Sequence, residues 1–447
     1  MTPEIISIVG TGYVGLCTGV GFASKGFKVI MSTHDQKKAE DINRGIPPFY
    51  EPDLDGLLKK VTSEGHLRCV TNRKEAILHS EVTFVASGTP SQPDGSINLE
   101  YVKEASREIG KALAIKSEYH VVVVKSTVVP GTTEKTVRPL IEENSRKRCG
   151  LDFGLCMSPE FLREGSAMYD TFHPDRIVIG EYDKKSGDML QSLFERFHGE
   201  DVPPILRTSL PTAEMIKYAN NAFLATKISF INQIANICQK IPGTDVCMIA
   251  QGIGLDHRIN PSFLRAGLGY GGSCFPKDVK AIIAYSKSLG YTPNLLEAVE
   301  EINRNQPYKA LELAKELTGD LKKKRIAILG LSFKPETDDM REAVSIRIVK
   351  RLLEEGADVV AYDPVAVPNA KVILGDHIAY AQSASECLKN ADCCIIVTEW
   401  KEFKELKPED FIYHMRNPVV IDGRRIYDPK LFSEKLKYAA IGLGKTK

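Results

Sequence analysis

A chain of 447 residues exceeds what one hydrophobic core ordinarily holds, so the length predicts two or three domains. The formal net charge of +1 argues against nucleic-acid and membrane-surface binding and leaves room only for a local patch that selects an anionic small molecule. Ten cysteines occur without a Cys-x-x-Cys pair, a strand pattern begins at once without a basic leader, and no apolar run reaches about 18 residues, so we expect reduced thiols, no metal site, no membrane span and a cytoplasmic location.

Ile5 to Val9 is a short β-rich run followed by Gly10-Thr-Gly12-Tyr13-Val14-Gly15 and a helix-like segment from Leu16 to Lys25. Strand, tight turn and helix in that order predict dinucleotide binding: Gly10 permits the turn, Gly12 admits the pyrophosphate, and Gly15 allows close packing of the helix whose N-terminus faces the phosphate. The next strand, Lys28 to His34, should carry an acid about 20 residues after the glycines to hold the ribose of NAD. Thr33 stands there instead; Asp35 follows two residues later, and a register shift of one or two residues would restore it as the ribose ligand. Ser32, Thr33, His34, Lys37 and Lys38 can donate to a 2′-phosphate, although none supplies an arginine fork, so both NAD and NADP stay open.

Pro47-Pro-Phe-Tyr-Glu-Pro52 reads as a stiff connector. Val82 to Ser87 and His120 to Lys125 read as buried strands of a parallel sheet, with Thr89 and Thr127 beyond their carboxyl ends, where residues either touch a cofactor or cap a helix. Glu160 and Glu164 are one turn apart if their segment is helical, a spacing that serves a base with its orienting group or a solvated helix face. Ile177 to Gly180 is a further strand. The long apolar periodicity from Thr212 to Ile241 predicts a central helix and dimer element, on which Lys217 and Asn221 share one face and are either donors to an oxyanion or surface groups.

Gly267 to Asp278 is a glycine-dominated loop that delivers Cys274 and then Lys277 and Asp278. A helix pattern after Pro276 puts the thiol near a helix N-terminus and beside Lys277, both of which favour a thiolate, so Cys274 reads as a nucleophile. A second strand-turn-helix begins at Lys324 to Pro335, with further strands near Asp358, Cys393 and Val419. It lacks Gly-x-Gly-x-x-Gly, which favours a nucleotide other than a second dinucleotide. Lys334, Arg341, Arg424 and Arg425 are loop cations suited to its phosphates.

Gly10-Thr-Gly-Tyr-Val-Gly15, Lys125-Ser-Thr127, Ser158-Pro-Glu-Phe-Leu-Arg-Glu-Gly165, Gly271-Gly-Ser-Cys-Phe-Pro-Lys-Asp278 and Gly330-Leu-Ser-Phe-Lys-Pro335 together closely resemble the nucleotide-sugar dehydrogenase family, in particular its members that act on UDP-glucose. The resemblance implies an α/β chain with two Rossmann-like parallel-sheet domains joined by a long central helix, in which residues 1–205 bind the dinucleotide, 206–305 form the helical dimerisation region with the cysteine loop, and 306–447 bind the UDP-sugar. It implies a homodimer that oxidises UDP-glucose to UDP-glucuronate by two hydride transfers. Cys274 would attack the intermediate aldehyde, and oxidation of the thiohemiacetal would give a thioester for water to hydrolyse.

Further residue roles come with that resemblance. Lys217 and Asn221 would steady oxyanions, Asp278 and Glu160 would move protons, Glu164 would support Thr127 and an ordered water, and Thr127 would sit where hydride is transferred. Gly10, Gly12, Tyr13, Val14, Gly15, Thr33, Thr89, Thr127, Glu164, Lys277 and Arg341 would hold the cofactor. Glu160, Phe161, Leu162, Arg163, Glu164, Lys217, Asn221, Phe263, Tyr270, Gly271, Lys334 and Arg424 would hold the sugar nucleotide, with Arg258 supplied by the other copy of the dimer. Thr33, Arg163 and Ser32-Thr-His34 depart from the family pattern. Relatives acting on UDP-N-acetylmannosamine or GDP-mannose are the alternatives, although Phe275 to Asp278 favours UDP-glucose. A silent cofactor-binding scaffold would need none of Cys274, Lys217, Asn221 and Asp278, and a one-step hydroxyacid-type dehydrogenase would have no use for the thiol.

Overall fold

The computed structural model describes residues 4–445, which fall into two compact units that divide between Asn220 and Asn221. The first is built on an eight-stranded sheet of β1 (Ile5–Val9), β2 (Lys28–Ser32), β3 (Leu67–Val70), β4 (Val82–Val85), β5 (Val121–Val124), β6 (Gly154–Met157), β7 (Ile177–Glu181) and β8 (Ile205–Ser209). Its order is β3-β2-β1-β4-β5-β6-β7-β8, and the reversal between β1 and β4 opens the crevice in which doubly wound sheets bind ligands. The four valines of β5 are all fully buried, as expected of a strand with helices on both faces. Every pairing is parallel except β6 with β7, where Cys156 lies opposite Glu181.

Three sequence expectations change here. β2 ends at Ser32, which leaves Thr33 and His34 beyond the strand. Residues 158–163 are irregular, so Glu160 and Glu164 do not share a helix face. Pro159 biases Ser158 toward extended backbone, and the Glu160 carboxylate accepts from the Leu162 amide at 2.6 Å, a local bond that competes with helix formation. β3, β6 and β8 had no separate strand signal: β3 alternates exposed and buried residues over four positions, β6 is a buried run of only four residues that opens on a glycine, and β8 is a partly exposed edge.

The central helix, Leu210–Cys238, runs for 29 residues and crosses the boundary between the units. Beyond it, the second unit carries a six-stranded, wholly parallel sheet of β9 (Arg325–Leu329), β10 (Asp358–Tyr362), β11 (Ala379–Tyr380), β12 (Cys393–Ile396), β13 (Val419–Asp422) and β14 (Lys437–Ala440), in the order β11-β10-β9-β12-β13-β14. Its order repeats the first six strands of the other sheet. Cys393 and Cys394 are buried in β12 and unpaired, and burial pushes the Cys393 thiol up to about 12. Among the described residues no helix is long and apolar enough to cross a membrane.

Candidate active site

In the first unit, Gly10 takes φ +117°, a conformation open to glycine, and a Cβ there would lie 2.5 Å from the Ala86 carbonyl oxygen. A Cβ on Gly15 would lie 2.2 Å from the Gly10 carbonyl, so the helix Tyr13–Ser24 can start this close only without one, whereas nothing lies within 4 Å of the Gly12 position. The turn is thus tight behind and open in front, which fits a pyrophosphate at the helix N-terminus. Thr89 and Thr127 do come together, the Thr89 hydroxyl donating to the Thr127 carbonyl at 2.9 Å. At the end of β2 the Asp35 carboxylate caps its own helix by accepting from the Lys38 amide at 3.0 Å, so it is occupied locally. Arg73, which the sequence did not single out, lies beside this strand end: its Nη2 is 2.7 Å from His34 Nε2, while its Nη1 pairs with Glu108 at 2.6 Å.

Glu160 and Lys217 form a buried ion pair at 2.8 Å, with side chains 6% and 3% exposed. Burial acts to raise the Glu160 carboxyl, but Lys217, the Leu162 amide and Lys125 together hold it below its ordinary value. Burial is in turn the largest influence bringing the Lys125 ammonium down to about 8, with Glu160 opposing it and Lys217 adding to it. Lys125 ends β5 beside the Ser126-Thr127 motif and was visible only as part of it. Beneath the glycine turn, Cys17 is buried, and Glu51, Glu160 and Glu164 add to burial in pushing its thiol up, which makes it inert as a nucleophile. The Arg163 guanidinium forks onto Asp170 at 3.0 and 2.5 Å, and Arg176 stacks on Phe161, 3.8 Å from the ring centroid.

The second unit builds the cysteine loop. Cys274 is the N-cap residue of the helix Phe275–Ser288, with Pro276 in its first turn, so the helix begins earlier than the sequence pattern indicates and the thiol, half-buried, stands at its N-terminus. The Asp278 amide donates to the Cys274 carbonyl at 2.8 Å, and the Ser273 hydroxyl lies 3.4 Å from the thiol sulfur. The Asp278 carboxylate, 1% exposed, takes Asn221 Nδ2 and Lys277 Nζ, each at 2.6 Å. Lys277 is thus ion-paired with Asp278, and the helix N-terminus favours a thiolate at Cys274.

Buried amides hold the approach to Cys274. Asn232 accepts from the Gly267 amide at 2.8 Å, Gln306 donates to the Gly267 carbonyl at 2.8 Å, and Asn303 brackets Tyr270 by accepting from its amide and donating to its carbonyl. Gly272 has φ +84°, and a Cβ there would lie 2.7 Å from the Phe333 ring, while one on Gly271 would lie 2.4 Å from the Glu342 carbonyl. Arg424 donates to the Gly269 carbonyl at 3.1 Å, and Arg425 pairs with Asp245 at 2.9 Å. Phe263 packs toward Phe275 at 6.2 Å, Lys334 lies 5.7 Å from the Phe333 ring, and Arg341 and Arg258 fold back onto Asp339 and Asp256. Asp363, at the end of β10 where a dinucleotide fold would present its ribose acid, is 2% exposed and accepts from the Leu331 and Ser332 amides and Trp400 Nε1. Its oxygens are committed to the protein, which supports a nucleotide other than a second dinucleotide.

The chain matches the UDP-glucose/GDP-mannose dehydrogenase family in three parts: the NAD binding domain over residues 4–198, the central domain over 211–305 and the UDP binding domain over 327–429. It is 46% identical over 422 residues to a UDP-glucose 6-dehydrogenase of Haloferax volcanii, covering 94% of this chain and 96% of that protein. Among solved structures it is similar to a UDP-glucose dehydrogenase of Pyrobaculum islandicum, with TM-score 0.91, 38% identity and coverage of 98% of both chains. A UDP-D-ManNAc dehydrogenase of Pyrococcus horikoshii follows with TM-score 0.86 and 27% identity, covering 98% of this chain and 99% of that one.

Proposed function

Because the chain belongs to the UDP-glucose/GDP-mannose dehydrogenase family, we propose that it oxidises the 6-hydroxyl of UDP-glucose to a carboxylate in two steps, with Cys274 as the covalent nucleophile. The observation that carries this assignment is Cys274 at a helix N-terminus, one turn before an Asp278 that Asn221 and Lys277 hold. Gly10 to Gly15, Thr89 and Thr127 would hold a nicotinamide cofactor, which when bound would accept one hydride in each of the two oxidations. Glu160, kept ionised by Lys217, accepts the proton of the sugar hydroxyl as its carbon loses a hydride, which leaves the aldehyde. The Cys274 sulfur bonds to the resulting aldehyde carbon, and the new alkoxide is met by the Lys217 ammonium and the Asn221 amide. Loss of hydride from that carbon leaves a thioester. Water activated by Asp278 breaks the carbon–sulfur bond, releasing the acid and restoring the thiol. The greater likeness to UDP-glucose enzymes than to the UDP-D-ManNAc enzyme supports UDP-glucose. A panel of UDP-glucose, UDP-N-acetylmannosamine and GDP-mannose tests this: UDP-glucose should give two reduced cofactors per acid formed. One per sugar would replace the covalent scheme with a one-step dehydrogenase, and none would leave a binding scaffold.

For the cofactor, Thr33 removes the acid that would repel a 2′-phosphate, and the Arg73 Nη2 beside His34 adds a cationic group near that position, while its Nη1 is held by Glu108. We propose that NADP is accepted alongside NAD, with efficiencies within about tenfold of each other, and Thr33→Asp should shift the ratio toward NAD by about tenfold or more. A strong NAD preference unmoved by Thr33→Asp would show that this position does not read the ribose.

The working unit is a homodimer formed on the central helix. Phe223, Phe230 and Ile237 recur at heptad spacing and are 65%, 47% and 51% exposed, an apolar stripe that a second copy covers. Phe230→Glu should convert the dimer to monomer in light scattering. An unchanged mass would move the interface elsewhere.

A further inference from the structure

Pro47 to Pro52 does more than connect two elements. The Phe49 ring packs on Tyr13, inside the glycine turn, with centroids 4.9 Å apart, and Asp53 at φ +65° turns the chain immediately afterwards. Between them Glu51, 5% exposed, points its carboxylate at two places at once. One oxygen accepts from the Tyr13 hydroxyl and from the Gly165 amide, the latter at 2.7 Å, while the other accepts from the Ala167 amide at 2.7 Å. The Gly165 amide also reaches the Tyr13 hydroxyl at 3.0 Å. Burial and the bond to Glu51 push the Tyr13 phenol up, so it stays a protonated donor at any physiological pH.

The loop from Ser158 to Ala167 is thus held by carboxylates of three origins. Glu160 folds onto the Leu162 amide within the loop, Asp170 holds the Arg163 amide at 2.9 Å from the helix just after it, and Glu51 reaches in from a segment more than a hundred residues earlier in the chain. Glu51 alone of the three also grips the dinucleotide turn.

We propose that Glu51 is a positioning residue that couples the dinucleotide turn, through Tyr13, to the Ser158–Gly165 loop, so that cofactor binding orders the loop that takes the sugar nucleotide. This builds on the assignment of that loop to substrate binding under the proposed function. A dinucleotide that fixes the backbone of the turn fixes Tyr13, and the Tyr13–Glu51–Gly165 chain of bonds passes that restriction to the residues flanking Glu160 and Phe161. Two ligands that share one ordering cost bind with mutual enhancement, equal in both directions.

The experiment is calorimetric titration of UDP-glucose into the full chain, with and without saturating NADH, which occupies the cofactor site without turnover. The wild type should bind the sugar nucleotide at least about fivefold more tightly with NADH present. Glu51→Gln puts an amide N–H₂ where an N–H or O–H donor needs an acceptor, and Tyr13→Phe removes only the hydroxyl. In both variants the enhancement should fall toward one. Tyr13→Phe keeps the test valid where Glu51→Gln fails to fold. Equal enhancement in the wild type and either folded variant, or no enhancement in the wild type, would overturn the coupling. The titration uses whichever sugar nucleotide of the panel the wild type turns over, so an error in the sugar changes the ligand and leaves the measured coupling to stand or fall separately.

Discussion

Cys274→Ser should bind UDP-glucose and cofactor and yet release no sugar acid at a steady rate. The substitution is nearly isosteric, and it falls at an N-cap position where serine is favoured and cysteine is not, so the fold should survive or gain slightly. Cys274 makes no side-chain capping bond, which means that helix termination gives no reason for a cysteine at this position. The chemistry does give one. A hydroxyl lacks the accessible anionic form that makes a thiol a nucleophile near neutral pH, and an oxygen ester is slower to hydrolyse than a thioester. Rapid quench followed by mass spectrometry should find an acyl adduct on Cys274 in the wild type and none in the variant. Sugar acid formed by Cys274→Ser near the wild-type rate would remove the covalent intermediate from the mechanism.

What could be read from the sequence and what could not divide along a physical line. Gly10 to Gly15 and Gly267 to Asp278 were legible because their constraints are local: a positive φ, a close backbone approach and a helix start all fall within a few consecutive residues. Both sheets were legible in outline because doubly covered strands such as Val121–Val124 are continuous apolar runs. The buried polar pairings within each unit were not. Lys217 meets Glu160, and Asn221 meets Asp278, each across a separation of 57 residues, so no spacing rule reaches them. Spacing misled for Glu160 and Glu164, whose one-turn relation assumed a helix that Pro159 and the Glu160–Leu162 bond prevent. Arg73 carried no signal of its own and Glu51 lay inside a segment read as a connector, and their neighbours His34 and Tyr13 come from segments fixed only by the order of the sheet.

The lysine of the central helix shows how much rests on such a pairing. Lys217→Ala should lower the catalytic rate by about a hundredfold or more, the scale for loss of one donor to a developing oxyanion. A second effect follows from burial. With both partners almost wholly enclosed, removing one leaves the other as an unpaired buried charge, a loss of about 3–5 kcal/mol if the carboxylate stays ionised. The protein can avoid that cost by protonating Glu160: burial already acts to raise its carboxyl, and Lys217 is the largest influence opposing it. In the wild type Glu160 is therefore a base throughout the neutral range, with its stabilising pair lost only as pH falls through a depressed value. In Lys217→Ala the carboxyl should rise, so the acidic limb of the rate profile moves to higher pH and part of the lost rate returns on the alkaline side. Lys217→Arg, which keeps the charge, should hold the limb in place. A rate unchanged in Lys217→Ala with only weaker binding of the sugar nucleotide would assign Lys217 to substrate grip, and a reduced rate with an unmoved acidic limb would separate oxyanion stabilisation from the control of Glu160.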